Sequence, residues 1–413
     1  MTPAGEFAKH WRSLAGCTIA ASVGTIGLNA YTSGAFLPEL VAKAGYSREQ
    51  LSVATLLLSG TVALVAPFVG QAVDQWGAFR VISFAVIGEV LGFFLLGTVP
   101  ADFAWYASAV VLLALLGAGT TPPSFSRIVT SHFDRRRGLA LGLMISGLGV
   151  TAITAPMLLT QVIARLGWRG GYLFLSLLVL SFGAIGLLLI RSDCPPARAH
   201  PLPAVSRSGD WSALKRPLYW YILLCFAAPA LFGAGYLLYL ISILRERGFS
   251  PAQAAQIQAL VGFAIIAGRL VSGLAMDRLF APYVAAGAFM ITTLGTTLLL
   301  SSQAPMLCLA ALGIGLTIGA ELDILAFTLS RYFGLASFGR LYGLAYSMMI
   351  LAGGCSPVLI ARLARAGDYA PGIIVSAVGT FVATVLVALL PKFKAPRSMG
   401  GTASWDSMSP PAS

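Results

Sequence analysis

Arg269 is the only base in IIAGRLVSG, residues 265–273, a run that otherwise reads as the middle of a buried helix. A guanidinium keeps its proton, and holding it in hydrocarbon costs from about 2.5 to well over 10 kcal/mol. A partner or a ligand must offset that. Three carboxyls, Glu89, Glu321 and Asp323, lie in equally apolar runs. Ionisable groups so placed face one another or a water-filled cavity. The planar guanidinium offers two parallel donors that match a carboxylate. Arg269 precedes Asp277, which marks the end of its span, by eight residues, or about 12 Å of helix. That puts it a little inside the midplane, where carriers built from two repeats hold their substrates. The other reading is an ion pair with Glu321 or Asp323 that only joins helices. Those two acids are two residues apart, about 200° around a helix, so only one of them readily faces a cavity. Burial favours a neutral carboxyl and a neighbouring guanidinium a charged one. Asp323, with the shorter side chain, is the first choice for a proton-carrying group and Glu321 the second. Glu89 has no evident partner.

The elements that position these groups follow from composition. Hydrophobic residues make up 57% of the 413-residue chain and charged residues 10%, with a mean hydropathy of +0.84. No soluble domain of this length hides so much apolar surface. Runs near the length needed to cross a bilayer recur from end to end. Twelve are expected, at about 14–38, 51–70, 81–99, 104–127, 139–164, 171–191, 217–244, 252–276, 283–302, 305–330, 341–363 and 371–391. A β-barrel would alternate in short segments instead. The net charge of +12 is explained by position and argues for no nucleic-acid partner. With the N-terminus inside, Arg80, the triplet Arg135, Arg136 and Arg137, Lys215, Arg216 and Lys392 fall on one side, and the other side is poorer in bases. The positive-inside rule then places both termini in the cytoplasm of a multi-pass inner-membrane protein. Trp105 with Tyr106, and Tyr219 with Trp220, fall where spans should meet water. Cys17, Cys194, Cys225, Cys308 and Cys355 are scattered and have no metal-ligand spacing, so no disulfide, metal or cofactor is expected. LAGC at 14–17 has the form of a lipoprotein cleavage box but lacks a preceding apolar region.

The chain repeats itself at a separation near 200 residues. GYSREQLS from Gly45 answers to GFSPAQAA from Gly248, GQAVDQWG from Gly70 to GLAMDRLF from Gly273, and HFDRRRGLALGL from His132 to YFGLASFGRLYGL from Tyr332. Three pairs in one order make two six-helix halves, residues 1–190 and 217–392. Residues 191–216, rich in Pro, Ser and positive charge, read as a cytoplasmic linker. Residues 393–413 read as a disordered tail.

Two six-helix halves, the Gly-x-x-x-Asp elements and a long basic central loop resemble the major facilitator superfamily. HFDRRRGLALGLMISG and GAELDILAFTLSRYFGLASFGRLYG resemble the corresponding loops of its monocarboxylate transporters, the bacterial members above all. The resemblance implies an all-α membrane protein of twelve spans that works as a monomer. It also implies that Arg269, within RLVSG, binds the substrate carboxylate. In the superfamily, acids such as Asp74 and Asp277 latch the cytoplasmic side with bases such as Arg127 and Arg331. The chain departs from animal members in two places: Ile265 stands where they carry an aspartate, and Ser33 and Gly34 where they carry a lysine. The usual proton relay is therefore absent from those positions. The similar oxalate/formate exchangers add a lysine in the eleventh span, and this chain has no base there until Arg362. One cation suits one carboxylate.

Depth along the spans adds Leu28, Asn29 and Tyr31 in the first and Cys355 and Ser356 in the eleventh as cavity-wall candidates. For the apolar ones, helix packing is an equal reading. The expected function is proton-coupled symport of a small monocarboxylate such as lactate or pyruvate. The alternatives are an organic-anion exchanger of the oxalate/formate type, a drug exporter, or a nontransporting scaffold. No hydrolase, zinc-protease or phosphate-loop motif is present, so no catalytic residue and no enzyme is expected.

Overall fold

The computed structural model describes residues 3–133, 137–193, 214–276, 278–333, 338–364 and 368–392, without the side chains of 3–6, 74, 137, 138, 193 and 338–340. The chain is helical, with no strand among the described residues. The first half contains α1 (Pro3–Ser22), α2 (Thr25–Glu39), α3 (Arg48–Trp76), α4 (Ala78–Thr98), α5 (Phe103–Gly117), α6 (Pro122–His132) and α7 (Arg137–Asp193). The second contains α8 (Pro217–Gly233), α9 (Tyr236–Glu246), α10 (Pro251–Met276), α11 (Ala281–Leu298), α12 (Ala304–Phe333), α13 (Phe338–Leu363) and α14 (Ala370–Ala388). Eleven segments are long and apolar enough to cross a membrane. One of them, Leu139–Ser192, has 54 residues, enough for two crossings. It turns back at Gly167, whose φ is 70°. Gly147 packs on Thr18 before this turn, and Gly186 packs on Ala20 after it. The twelve expected crossings are therefore present, but the first, fourth and seventh are each broken into two helices. Most of the expected linker and the whole expected tail lie outside the described residues.

The repeated sequence elements fold alike at the starts of the second and eighth crossings. Ser47 and Gln50 bond reciprocally, side chain to backbone, at 2.8 and 3.0 Å. Ser250 and Gln253 do the same at 3.0 and 3.2 Å. These capping boxes satisfy donors that the first turn leaves open. Each is entered through a glycine in the left-handed region, Gly45 at φ 75° and Gly248 at φ 88°.

Twelve crossings bring the first and last described residues, Pro3 and Lys392, to one end of the bundle, here the terminal end; the opposite one is the far end. Packing differs sharply between the two. A single apolar core runs through the first half and takes in the far-end parts of the second, including Tyr236, Leu240, Val261, Ile265 and Ile373. The terminal-end part of the second half has a core of its own around Tyr219, Phe226, Phe289, Leu325 and Met349. The halves are thus joined at the far end and separate towards the termini. Of the four boundary aromatics, Trp105 and Trp220 are exposed as expected, whereas Tyr106 and Tyr219 are buried. Their hydroxyls reach inward, to Tyr172 Oη at 2.8 Å and to the Leu341 carbonyl at 2.9 Å.

Candidate functional site

The site is built on the contact between α10 and α12, which run side by side in the same direction. Any Cβ at Gly268 would overlap the Leu316 carbonyl, and one at Gly319 the Ile265 carbonyl. Gly315 lies just as close to Val261. The two backbones therefore touch, and the next residues on these faces are Arg269 and Asp323. Arg269 Nη1 lies 3.4 Å from Asp323 Oδ1. The guanidinium is mostly buried, with 12% of its side chain exposed, and the carboxylate is 33% exposed. At that separation the pair is an ion pair with a long, weak hydrogen bond, and the more open acid is the member that water or a ligand meets first. Glu321 makes no hydrogen bond or ion pair among the described residues. Its charge acts on Tyr31 of α2, as does that of Arg269, so both halves contribute to the site. From α13, Tyr342 lies within electrostatic reach of Asp323 and Arg269. Its ring centre is 6.3 Å from that of Tyr346.

Other sequence candidates go elsewhere. Leu28 is fully buried in the first-half core. Asn29 lines a separate small cavity with Ser33, Thr55, Tyr106 and Tyr172. Cys355 is half-buried on α13, with a free thiol. Ser356 is fully buried, and its Oγ accepts the Gly235 N–H at 2.8 Å, which satisfies the break between α8 and α9. Arg331 is exposed and lies over the Phe327 ring at 5.1 Å. Arg127 is half-buried at the middle of α6. Asp277 and the side chain of Asp74 lie outside the described residues. Tyr342 and Tyr346 escaped the sequence reading. Their signal was two tyrosines four residues apart, on one face of a span with no charge at that level.

A second missed set closes the far end. Arg48 pairs with Glu246, and Arg362 Nε with Glu49 Oε1 at 3.2 Å. Arg48 also covers the Tyr369 ring at 5.2 Å. Beneath these exposed pairs, the buried hydroxyls of Ser52 and Tyr239 meet at 2.5 Å. Exposed ion pairs contribute little, so the buried contact is the stronger tie between halves. Ser52 keeps the Arg48 carbonyl as acceptor at 2.8 Å if the tyrosine hydroxyl is lost. Tyr239→Phe therefore folds normally and removes about 1 kcal/mol from the far-end-closed state alone, a population shift of about fivefold. Spin-label distances across the far end check this: the expected result is a larger long-distance fraction, and an unchanged distribution would show that the contact does not tie the halves.

The comparisons agree with this architecture. A family model described as Major Facilitator Superfamily matches residues 19–333. An uncharacterized MFS-type transporter of Escherichia coli K12, YhjX, is 25% identical over 362 residues, 84% of this chain and 86% of that one. Human monocarboxylate transporter 11 is 26% identical, covering 77% of this chain and 70% of its own. Rat monocarboxylate transporter 13 is 27% identical over 72% and 71%. Among solved structures, a mutant of the nucleoside transporter NupG superposes with a TM-score of 0.72 at 12% identity, covering 92% of this chain and 100% of that one. A bacterial homolog of the human lysosomal transporter Spinster, in an inward-facing and unoccupied conformation, gives 0.66 at 18% identity over 92% and 96%.

Proposed function

The chain belongs to the Major Facilitator Superfamily, and from that premise we propose that it carries a small monocarboxylate anion together with a proton by alternating access. It is a membrane transporter, and its relatives and structural neighbours are transporters rather than enzymes. The observation that carries the substrate class is the Arg269–Asp323 pair. A buried cation held by one long contact to a partly open acid is poised to exchange that acid for a free carboxylate. The incoming anion takes the guanidinium fork. Asp323, displaced, takes a proton, and the site stays neutral overall. Tyr31, Tyr342 and Tyr346 supply hydroxyls and apolar ring faces around a molecule of a few carbons. Asp323 is the proton-coupling group in this reading, and Glu321, within electrostatic reach of Tyr31, is the second candidate.

Coupling also has an energetic reason. An anion entering alone against an inside-negative potential is opposed by about 2.3 kcal/mol per 100 mV, and an anion entering with a proton is not. The terminal end is the cytoplasmic side in this reading, and Asp74, Asp277, Arg127 and Arg331 close it when the far end opens.

Counterflow of labelled lactate in proteoliposomes, competed by a panel of mono- and dicarboxylates, tests the substrate class. Competition by short monocarboxylates is expected. Stronger competition by oxalate would favour the exchanger reading, and no counterflow with any of these acids would remove the carboxylate reading.

A further inference from the structure

The first and fourth crossings break at the same level and are tied together there. α1 gives way to α2 at Gly24, and α5 to α6 across Ala118–Thr121. The Thr25 N–H donates to Thr120 Oγ1 at 3.0 Å, and the two threonine hydroxyls are 3.1 Å apart. A Cβ at Gly24 would overlap the Thr120 carbonyl, so only glycine fits between the breaks. Into this junction α4 directs Glu89, which is fully buried. Its Oε2 is 2.9 Å from Thr120 Oγ1, and its Oε1 has no hydrogen-bond partner. No cation pairs with it among the described residues. Leu113 and Leu116 of α5, Gly119 of the broken segment and Gly183 of α7 pack on α4 near this level, and Thr25 of α2 adjoins through Thr120. α3 and α6 also touch α4, with no titratable residue in 57–66 of α3 or 122–126 of α6.

Full burial, a bare Oε1 and the lack of a cation among the described residues decide which form of Glu89 the site suits. Thr120 has one proton to give and three acceptors in reach, Glu89 Oε2, the Gly117 carbonyl at 2.8 Å and Thr25 Oγ1 at 3.1 Å, and the Gly117 carbonyl also takes the Thr25 hydroxyl at 3.1 Å. A charged carboxylate would take that proton, leave its other lone pairs bare and face no cation, an expensive state in a dry interior. A carboxylic acid instead donates to Thr120 Oγ1, carries no charge to be compensated, and leaves both threonine hydroxyls to the Gly117 carbonyl. The second half shows that packing alone does not call for an acid here. Thr292 of α11, 203 residues on from Glu89, bonds to the Thr317 hydroxyl of α12, a junction made entirely of neutral groups.

We propose that Glu89 is a proton-binding site of the first half, occupied while the breaks at Gly24 and Ala118–Thr121 are joined and vacated when they part. Parting removes the Thr120 contact and admits water. The carboxylic acid then gives its proton to water, and rejoining takes one back; no other bond changes. The inference rests on the two-state movement proposed above and is independent of the substrate.

Infrared spectra of the purified full-length protein in nanodiscs, recorded without substrate across the neutral pH range, test it. The expected result is a carboxylic-acid carbonyl band, absent from Glu89→Gln, that disappears as pH rises. Thr120→Val removes the partner hydroxyl and is expected to displace that band. Tyr239→Phe, which favours the far-end-open state, is expected to lower its midpoint by up to about 0.7 pH unit for a fivefold population change. The absence of a Glu89-dependent band, a band indifferent to pH, or a band unmoved in both Thr120→Val and Tyr239→Phe would each overturn the proposal. Loss of lactate transport as a reading would leave all three observations interpretable.

Discussion

Arg269→Ala abolishes lactate binding and transport in the expected outcome, and Arg269→Lys is nearly as damaging. A lysine keeps the charge but presents a single point of donation in place of the planar fork. The loss of a charge-assisted, two-point contact in a dewatered site is worth several times a neutral hydrogen bond, enough to carry affinity out of a measurable range. Arg269→Ala also strands Asp323, whose only described ionic partner is Arg269. The double variant Arg269→Ala/Asp323→Ala separates the two effects: folding recovers, and binding does not. Isothermal titration of the folded single variant is the deciding measurement. Affinity within about threefold of wild type, under about 0.7 kcal/mol, would place the carboxylate site elsewhere.

The second large effect concerns coupling. One proton moved per anion lets a gradient of one pH unit, about 1.36 kcal/mol, support about tenfold accumulation. Asp323→Asn cannot take the proton that the incoming anion displaces onto it. The expected result is an accumulation ratio near one in Asp323→Asn under an inward proton gradient, with lactate counterflow at equal pH retained. Glu321→Gln, whose side chain makes no described contact with Arg269, retains most of the accumulation. Full accumulation in both variants would show that neither acid carries the proton. Failure of wild type to accumulate lactate would remove symport itself.

Much of the scaffold could be read from residues alone, because a span is a local property. Twenty apolar residues have one way to satisfy their backbone in lipid, so the crossings fell where expected, and the repeated Ser-x-x-Gln after glycine, read only as a repeat, proved to be a pair of capping boxes. The pairing of Arg269 with Asp323 was legible for a similar reason: buried opposite charges at one depth have few choices. The breaks in the first, fourth and seventh crossings were not. They depend on Gly24 meeting Thr120 and on Gly235 meeting Ser356, contacts between residues about a hundred apart. Helical direction was equally hidden. Asn29 and Tyr31 are two residues apart, yet one lines the small cavity beside Ser33 and Tyr172 and the other lies within electrostatic reach of Arg269. The far-end set of Arg48, Glu49, Glu246 and Arg362 looked like charges left outside by topology. Only the docking of two halves makes them partners.

The backbone contact between α10 and α12 has a consequence for the economy of the carrier. Glycines at 268, 315 and 319 bring the two backbones into contact, so in the proposed carrier the helices that bear Arg269 and Asp323 move together whichever gate is open. Under the proposed function, a carboxylate arriving from either face meets the same fork and the same acid, and its intrinsic affinity is alike on both sides. Such a machine has no forward gear. Uptake and export are then conditions of the cell, fixed by two acid concentrations and two pH values, rather than properties written into the protein.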